Sequence, residues 1–483
     1  MACAICRETE ISVPMLRRFF GREEKSLLFS SNVLLFAFLP AVILLYYVCP
    51  RKLRNPVLLL WSLVFYGWGE PVYLFLMITT ILMNYVFGAL IHRRQSRDQS
   101  ARGVLIIGVA ANLLLLGFFK YAGFLLGMLP FIPQDILPDI TLPIGISFYV
   151  FQSMSYIIDV YRDDAPVQKN PITFGTYVTL FPQLIAGPIV RYADVAQQLV
   201  SRRETVTGFA SGVRLFVIGL AKKVLLANQM GAMWEVLQTE PGTLAAWVGI
   251  AAYSLQLYFD FSGYSDMARG LGRMFGFEFL INFDYPYISR SITEFWRRWH
   301  ISLSTWFREY VYIPLGGNRK GLPRQILNLL IVWGLTGLWH GASWNFLLWG
   351  LYYGILLIIE KVILLRVLEK LPSFLRHIYA VVIVLMGWAL FYFVDTAQLG
   401  AFFGRAFSFT ATGVTGINTI LGYLPLMLVA VVAATPLGAW VWKKVRGKTW
   451  ANYAGIAVAA VLMLLCVTAL VSQSYNPFIY FRF

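Results

Sequence analysis

Charged residues are scarce in this chain. Asp, Glu, Lys and Arg make up only 13% of its 483 residues, whereas 58% are hydrophobic and 16% are aromatic. Soluble domains carry about 25% charged residues, so this composition excludes an ordinary soluble protein. Long apolar runs recur instead along the whole chain, without an internal repeat. They predict an all-α, polytopic integral membrane protein.

Cysteine and histidine are scarce too, with four of each. Cys3 and Cys6 form a lone Cys-x-x-Cys pair, and Cys49 and Cys466 stand far from it. Because a structural zinc site takes four ligands, one such pair does not predict zinc, and the spacing suggests no disulfide framework. We expect no bound metal or cofactor.

Apolar segments predict about twelve membrane-spanning helices, within a range of about eleven to thirteen. The segments cover residues 27–49, 56–69, 71–91, 103–129, 141–161, 208–237, 243–261, 326–341, 343–360, 378–394, 420–443 and 451–472. Residues 172–190 are also apolar, but they contain Pro182, Gly187 and Pro188. We expect a broken or re-entrant segment there, buried in protein so that its backbone polar groups are satisfied.

Positive charge dominates the few charged residues, with a formal net charge of +16. In a soluble protein this would suggest a nucleic-acid partner. Here lysine and arginine concentrate in alternate loops, whereas the loops near 130–140, 238–242 and 395–419 contain only Arg405. The positive-inside rule therefore predicts that the basic loops are cytoplasmic, in a multi-pass protein of the cytoplasmic membrane that binds no nucleic acid.

The first 26 residues do not fit this layout. They are polar and mixed in charge, and no apolar region with a small-residue cleavage site follows them as in a signal peptide. Residues 1–26 are predicted to be an N-terminal extension, either disordered or arising from a misplaced start site. Residues 27–483 are predicted to form a single membrane domain.

Residues 293–311 predict one amphipathic helix. Aromatic side chains fall on one face, including Trp296 and Trp299, and Arg297 and Arg298 lie on the other. Ser291 and Glu294 have the spacing of an N-terminal capping box. An aromatic face opposite arginines is typical of a helix in the membrane interface. The arginines then either anchor the helix to lipid phosphate or receive an anionic donor from the cytoplasm.

An acidic and hydroxyl cluster stands at Tyr258–Asp266, in the sequence YFDFSGYSD. Asp260 and Asp266 either cap the end of a helix or form a polar lining that orients a histidine or pairs with an arginine. The spacing alone does not decide between these interpretations.

His340 lies in LWHGASWN, within a stretch that has no Lys, Arg, Asp or Glu from Ile326 to Ile359. A histidine at membrane depth costs free energy unless it is paired or used. No second His, Cys or carboxylate stands three or four residues away, which disfavours a metal site. A core histidine, a proton relay in a transporter and a general base for acyl transfer remain. Ser343 as a nucleophile lacks a nearby acidic partner.

Several long motifs resemble the bacterial branch of the membrane-bound O-acyltransferase family. The resemblance covers essentially Leu27–Phe483 and is carried by motifs such as LPIGISFYVFQSMSYIIDVYR, QLYFDFSGYSDMARGLG, RRWHISLSTWFREYVYIPLGGNR, GLWHGASWNFLLWG and the terminal NPFIYFRF. It implies a many-helix fold around a central funnel or tunnel. It also implies that His340, in the WHG motif, is the catalytic histidine and that His300, in RRWHISLS, is a second functional histidine.

The resemblance further implies the reaction. An acyl group would pass from a cytoplasmic thioester, such as acetyl-coenzyme A, to an acceptor outside a bacterial inner membrane. In exopolysaccharide systems a periplasmic partner with a serine-hydrolase-like domain then esterifies a polysaccharide such as alginate. We expect His340 to act as general base and the donor site to draw on Arg297, Arg298, Trp299, Trp296, Asp266, Ser304 and Asn345. The alternative is a flippase that moves an acylated or lipid-linked carrier without covalent chemistry.

Overall fold

The computed structural model describes residues 29–129, 141–185, 187–472 and 478–479. Regular structure within these ranges is helical throughout, and no strand occurs in them. The predicted N-terminal extension lies outside the described residues. The helices of the first half are α1 (Leu34–Val48), α2 (Arg54–Gly69), α3 (Tyr73–Gln95), α4 (Arg102–Gly127), α5 (Ile146–Arg162), α6 (Pro171–Thr179), α7 (Phe181–Leu184), α8 (Tyr192–Val200), α9 (Val206–Ala221), α10 (Asn228–Leu237) and α11 (Thr243–Met274).

The second half of the chain begins with two short helices and returns to long ones. Its helices are α12 (Ile292–Arg298), α13 (Ile301–Phe307), α14 (Leu322–His340), α15 (Trp344–Ile359), α16 (Leu365–Leu368), α17 (Ser373–Tyr392), α18 (Thr396–Ala406), α19 (Val414–Ala433), α20 (Leu437–Val445) and α21 (Thr449–Ser472). Single π-helical turns at Lys222–Ala227, Arg308–Tyr312 and Glu360–Leu364 continue α9, α13 and α15.

Five of the described helices are long and apolar enough to cross a membrane, namely α3, α4, α17, α19 and α21. The protein is therefore an all-α, multi-pass membrane protein, as predicted. Each predicted apolar segment coincides with helical structure, but residues 420–443 do not form one span. The helix there is α19, and the chain turns at Pro436, whose missing N–H cannot continue a helix, before α20 begins.

The longest described helix, α11, packs closely against α9 through glycines. A Cβ atom added at Gly219 would lie 2.5 Å from the backbone oxygen of Gly263, and one added at Gly212 would lie 2.6 Å from that of Gly270. Small residues let helix backbones approach each other, which is a common way of packing helices in membranes. This contact anchors the helix that carries the YFDFSGYSD sequence.

The predicted broken segment at 172–190 is confirmed over its described residues. It forms α6 and α7, which are separated at Leu180. Side-chain hydroxyls satisfy the backbone where regular structure stops: Ser62 accepts the N–H of Phe181 at 3.1 Å, and Ser302 accepts the N–H of Ile189 at 3.0 Å. Irregular backbone inside a membrane protein needs such internal partners.

The prediction of one amphipathic helix across 293–311 is wrong. The backbone of Trp299 is extended, and His300 adopts a left-handed conformation with φ 46° between α12 and α13. Backbone groups from a preceding loop cause the break, since Asp284 N–H donates to Arg298 O at 2.9 Å and Ile301 N–H donates to Asn282 O at 3.0 Å. Most aromatic side chains of this segment are buried in protein rather than facing lipid, and Tyr310 is half-buried.

The cap at the start of α12 is confirmed. Ser291 accepts the N–H of Glu294 at 3.0 Å, and the Glu294 carboxylate accepts the N–H of Arg290 at 2.9 Å. Buried Glu360 adds a second cap by accepting the N–H groups of Ile292 and Thr293. An acidic side chain at a helix N-terminus is favourable, so this short helix is fixed at its first turn.

Candidate active site

His340 is the last residue of α14, and groups from α4 hold that helix end. Lys120 donates to the backbone oxygen of Trp339, and the Tyr121 hydroxyl donates to that of Leu338 at 2.7 Å. The last carbonyl groups of a helix have no partner within it, so these contacts satisfy them and fix the backbone that presents the imidazole. Sequence reasoning missed Lys120, although its signal was a single lysine in the apolar run 103–129.

Aromatic rings enclose the imidazole of His340. The ring centroids of Trp339 and Trp349 each lie 5.0 Å from that of His340, and the Phe391 centroid lies 5.3 Å away. His340 is 9% exposed, and its Nδ1 has no hydrogen-bond partner among the described residues. Buried polar atoms in a protein core are normally hydrogen-bonded. An unpartnered Nδ1 would be costly in a histidine that only fills the core, which favours a functional role for His340.

His300 occupies the break between α12 and α13 and is 2% exposed. Its Nδ1 lies 3.3 Å from Asn282 Oδ1, and its Nε2 is enclosed without a partner among the described residues. The ring meets Phe261 edge-on at a centroid distance of 4.7 Å. His300 lies outside every helix of membrane-spanning length, and burial lowers its pKa to about 3, so the ring is neutral near pH 7.

Both histidines line one cavity of about 240 Å³, here called the two-histidine cavity. Its lining also includes Arg297 and Arg308, whose side chains are exposed at the protein surface. The remaining lining residues are Thr293, Trp296, Trp299, Leu303, Ser304, Phe307, Tyr312, Leu329, Val332, Trp333 and Thr336. The cavity therefore joins an exposed positive rim to a mostly apolar, aromatic interior that contains two imidazoles.

His340 also borders a second, smaller cavity of about 30 Å³, which has room for about one water molecule. Asp260, Phe478 and Ile479 lie on its lining, and Trp299 borders both cavities with His340. Asp260 is held by Lys223 at 2.5 Å and by the N–H of Ile479 at 2.7 Å. His340 and Trp299 thus form a wall between two cavities.

The structure separates the predicted donor-site residues into two groups. Trp296, Arg297, Trp299 and Ser304 line the two-histidine cavity. Arg298, Asp266 and Asn345 are not among the residues that line either cavity. These three residues have partners elsewhere in the protein. Arg298 pairs with Glu294 at 3.1 Å and with Asp284 at 3.2 Å, and Asp266 pairs with Lys222 at 2.7 Å and with Arg269 at 3.3 Å. Asn345 donates to Phe391 O at 3.2 Å.

The acidic cluster at Tyr258–Asp266 does not cap a helix end, because α11 continues to Met274. Its carboxylates pair with basic side chains instead, including Arg269, which is the second of the two interpretations left open by the sequence. Among the described residues, no group of three or more His, Cys, Asp or Glu side chains is placed to hold a metal ion.

Known proteins are similar in sequence to this chain over nearly its whole length. The model of the membrane-bound O-acyltransferase family matches residues 162–397, a region that contains His300, His340 and every other residue that lines the two-histidine cavity. The chain is 40% identical over 490 residues to a probable alginate O-acetylase of Pseudomonas putida, covering 95% of this chain and 100% of that protein. This chain belongs to the membrane-bound O-acyltransferase family.

Other relatives of this O-acyltransferase have different named substrates. A peptidoglycan O-acetyltransferase of Helicobacter pylori is 38% identical over 372 residues, covering 69% of this chain and 70% of that protein. A teichoic acid D-alanyltransferase of Bacillus subtilis is 28% identical over 276 residues, covering 54% of this chain and 69% of that protein. The resemblance found in the motifs is thus confirmed, and the protein is an enzyme of acyl transfer to hydroxyl groups rather than a flippase.

Proposed function

We propose that this O-acyltransferase passes an acetyl group from a cytoplasmic thioester toward a polysaccharide outside a bacterial inner membrane, with His340 as general base. Alginate is the proposed acceptor, because relatives that match 95% of the chain are named probable alginate O-acetylases. One observation carries the chemistry: His340 borders two cavities, and one of them leads past His300 to an exposed arginine rim.

Charge at the rim supports an anionic donor. Coenzyme A carries phosphate groups, and the planar guanidinium group binds phosphate with two hydrogen bonds. Arg297 is exposed and has no ion pair among the described residues, whereas Arg308 pairs with its neighbour Glu309 at 2.7 Å. Donor phosphates at this rim would let the thioester arm enter the cavity toward the two histidines.

The reaction then needs a base next to the thioester. His340 takes the proton of the acceptor hydroxyl, whose oxygen forms the new bond to the acetyl carbonyl carbon. The carbon–sulfur bond breaks as the tetrahedral intermediate collapses, and the leaving thiolate takes the proton back from His340. General-base catalysis by a positioned imidazole is worth roughly 10²–10⁴-fold in rate.

The two cavities suggest how the reaction bridges the membrane. We infer from the positive-inside rule that the basic loops, and with them Arg297, face the cytoplasm. We assign the smaller cavity, bordered by Phe478 and Ile479, to the acceptor on the opposite side. A periplasmic partner with a serine-hydrolase-like domain would receive the acetyl group there and pass it to the polysaccharide.

Complementation tests this proposal. A Pseudomonas putida strain that lacks its own alginate O-acetylase is given this chain, and acetyl esters on secreted alginate are counted. We expect the wild-type chain to restore acetylation and the His340→Ala variant to restore less than about 1% of it. His92→Gln is the matched control, because His92 is exposed and lines neither cavity. Full acetylation by His340→Ala, at equal protein level in the membrane, would overturn the assignment.

A further inference from the structure

A chain of hydrogen bonds behind His300 has a fixed direction. The N–H of Ile189 donates to Ser302 Oγ at 3.0 Å, and the Ser302 hydroxyl donates to Asn282 Oδ1 at 2.9 Å. The N–H of Ser302 also points at Asn282 Oδ1, at 3.1 Å. A backbone N–H can only donate, so each link in this chain has one possible direction.

This direction settles the orientation of the Asn282 amide. The atom that receives the Ser302 N–H must be an acceptor, and in an amide side chain that atom is the oxygen. The Asn282 Nδ2 has no partner among the described residues, so nothing on its other side favours the flipped amide. Asn282 therefore presents an acceptor to Nδ1 of His300, and that nitrogen carries the hydrogen.

The second ring nitrogen follows from the charge of His300. The imidazole is 2% exposed, and the rings of Phe261, Phe283 and Trp339 lie within 6.3 Å of it by centroid distance. No carboxylate hydrogen-bonds the ring among the described residues, so the neutral form is favoured in this apolar surrounding. A neutral imidazole carries one proton. With that proton on Nδ1, Nε2 is left with a free lone pair.

We propose that Asn282 is a positioning residue that holds His300 in the Nδ1-protonated tautomer, so that Nε2 accepts a hydrogen bond from a water that in turn orients the oxygen of the reacting hydroxyl. The proposal rests on the proposed function, since it assigns a role within the same cavity. Nε2 is enclosed without a partner among the described residues, and His300 lines the two-histidine cavity together with His340. The group that fits is a donor with two hydrogens: a water in this cavity, which gives one hydrogen to Nε2 and the other to the oxygen of the acceptor hydroxyl at His340.

The two histidines then have different roles. His300 holds a water through Nε2, that water donates its other hydrogen to the oxygen of the reacting hydroxyl, and the single proton of the hydroxyl points at His340, which takes it. An Asn282 variant without an acceptor frees the His300 ring to adopt either tautomer, and the Nε2-protonated form would no longer accept the hydrogen of this water. The loss of activity is expected in kcat rather than in the donor KM, because Asn282 does not line the two-histidine cavity, where the donor would bind.

The tautomer can be measured without any enzyme assay. The chain has only four histidines, so solid-state NMR of protein labelled with ¹⁵N-histidine, reconstituted in lipid vesicles, gives few resonances. The His300→Gln variant assigns those of His300. We expect a protonated Nδ1 and an unprotonated Nε2 in the wild type, and a mixture of tautomers in Asn282→Leu. A wild-type spectrum with Nε2 protonated would overturn the proposal, whatever the variants do.

Kinetics in membrane vesicles with radiolabelled acetyl-coenzyme A give the second readout. Asn282→Leu should lower kcat at least ten-fold with the donor KM unchanged, and Asn282→Asp, which keeps an acceptor, should recover most of the loss. Unaltered His340 resonances in Asn282→Leu confirm that its fold is intact. Unchanged kcat in that variant contradicts the proposal. Retained transfer by His340→Ala would instead contradict the proposed function while leaving the tautomer assignment standing.

Discussion

Arg297 and Arg298 show how two identical neighbours differ at the residue scale. Both stand in the sequence RRWH, and nothing in the sequence distinguishes them. The structure pairs Arg298 with Asp284 and Glu294, whereas Arg297 reaches the rim of the two-histidine cavity. The alternatives of lipid anchoring and donor binding can therefore be tested with one substitution at each position.

We expect Arg297→Ala to raise the KM for acetyl-coenzyme A about ten-fold or more, because a hydrogen bond to a charged group contributes about 1.5–3 kcal/mol. Arg298→Ala should change that KM by less than about three-fold, since a partly exposed ion pair is worth at most about 1 kcal/mol. Initial rates in membrane vesicles over a range of donor concentrations give both values. Equal, small changes in KM at the two positions would instead indicate that both arginines anchor the segment to lipid.

Burial of His300 also has a consequence for stability. Its pKa of about 3 in the folded protein lies below the ordinary value of about 6.5 in the unfolded chain. Between these values the unfolded chain binds the proton and the folded protein does not, so stability falls as the pH falls below about 6.5. The slope from this one residue is at most about 1.4 kcal/mol per pH unit.

The His300→Gln variant should therefore lose less stability than the wild type between pH 7 and pH 5. Midpoints of thermal unfolding in detergent, measured across that range, give the comparison. His92→Gln is the control, because exposed His92 has no such burial and should leave the wild-type slope unchanged. Identical slopes in wild type and His300→Gln would contradict the burial of a neutral ring.

At the scale of the elements, the position of His340 depends on how closely α14 and α15 pack. Gly337 lies on α14 one turn before His340, and a Cβ added to it would lie 3.3 Å from the Cα of Gly350 on α15. A Cβ added at Gly337 would collide with the backbone oxygen of Phe346. Gly334, one turn earlier on the same helix, has open space around it, with nothing within 4 Å of an added Cβ.

We expect Gly337→Ala to destabilise the protein by about 1–3 kcal/mol and to lower the acetylation rate, because α15 must move away from the helix that carries His340. Gly334→Ala should be neutral or stabilising by up to about 1 kcal/mol, since alanine favours helix more than glycine does. Thermal unfolding in detergent and acetyl transfer by the same samples test both. Gly337→Ala with wild-type stability would show that the helices do not pack as described.

The break between α12 and α13 explains where sequence reasoning stopped. The periodicity of 293–311 favours one helix, and the capping residue Ser291 was correctly predicted. His300 departs from that helix because Asn282 and Asp284, 16–18 residues earlier, take over backbone hydrogen bonds at the break. Contacts between distant parts of the chain leave no trace in local periodicity, so neither the break nor the role of Asn282 was foreseen.

For the whole molecule, the sequence predicted the fold class, and it singled out His340 and His300, which the structure places on one cavity. Apolar runs located the helices, because a membrane-spanning helix needs a long apolar segment. His340 stood out because an ionisable side chain in such a segment is costly. The shared cavity of His300 and His340 was not predictable, since 40 positions separate them and only the packing of α12–α15 brings them together.

The central claim is that His340 catalyses acetyl transfer from one side of the membrane to the other. Right-side-out vesicles from the complemented Pseudomonas putida strain are loaded with radiolabelled acetyl-coenzyme A, and de-O-acetylated alginate is added outside. We predict label in the external polymer with the wild-type chain and with His92→Gln, and less than about 1% of that label with His340→Ala. Equal labelling by His340→Ala, or no labelling by the wild type when its partner is present, would contradict the role of His340 in acetyl transfer across the membrane.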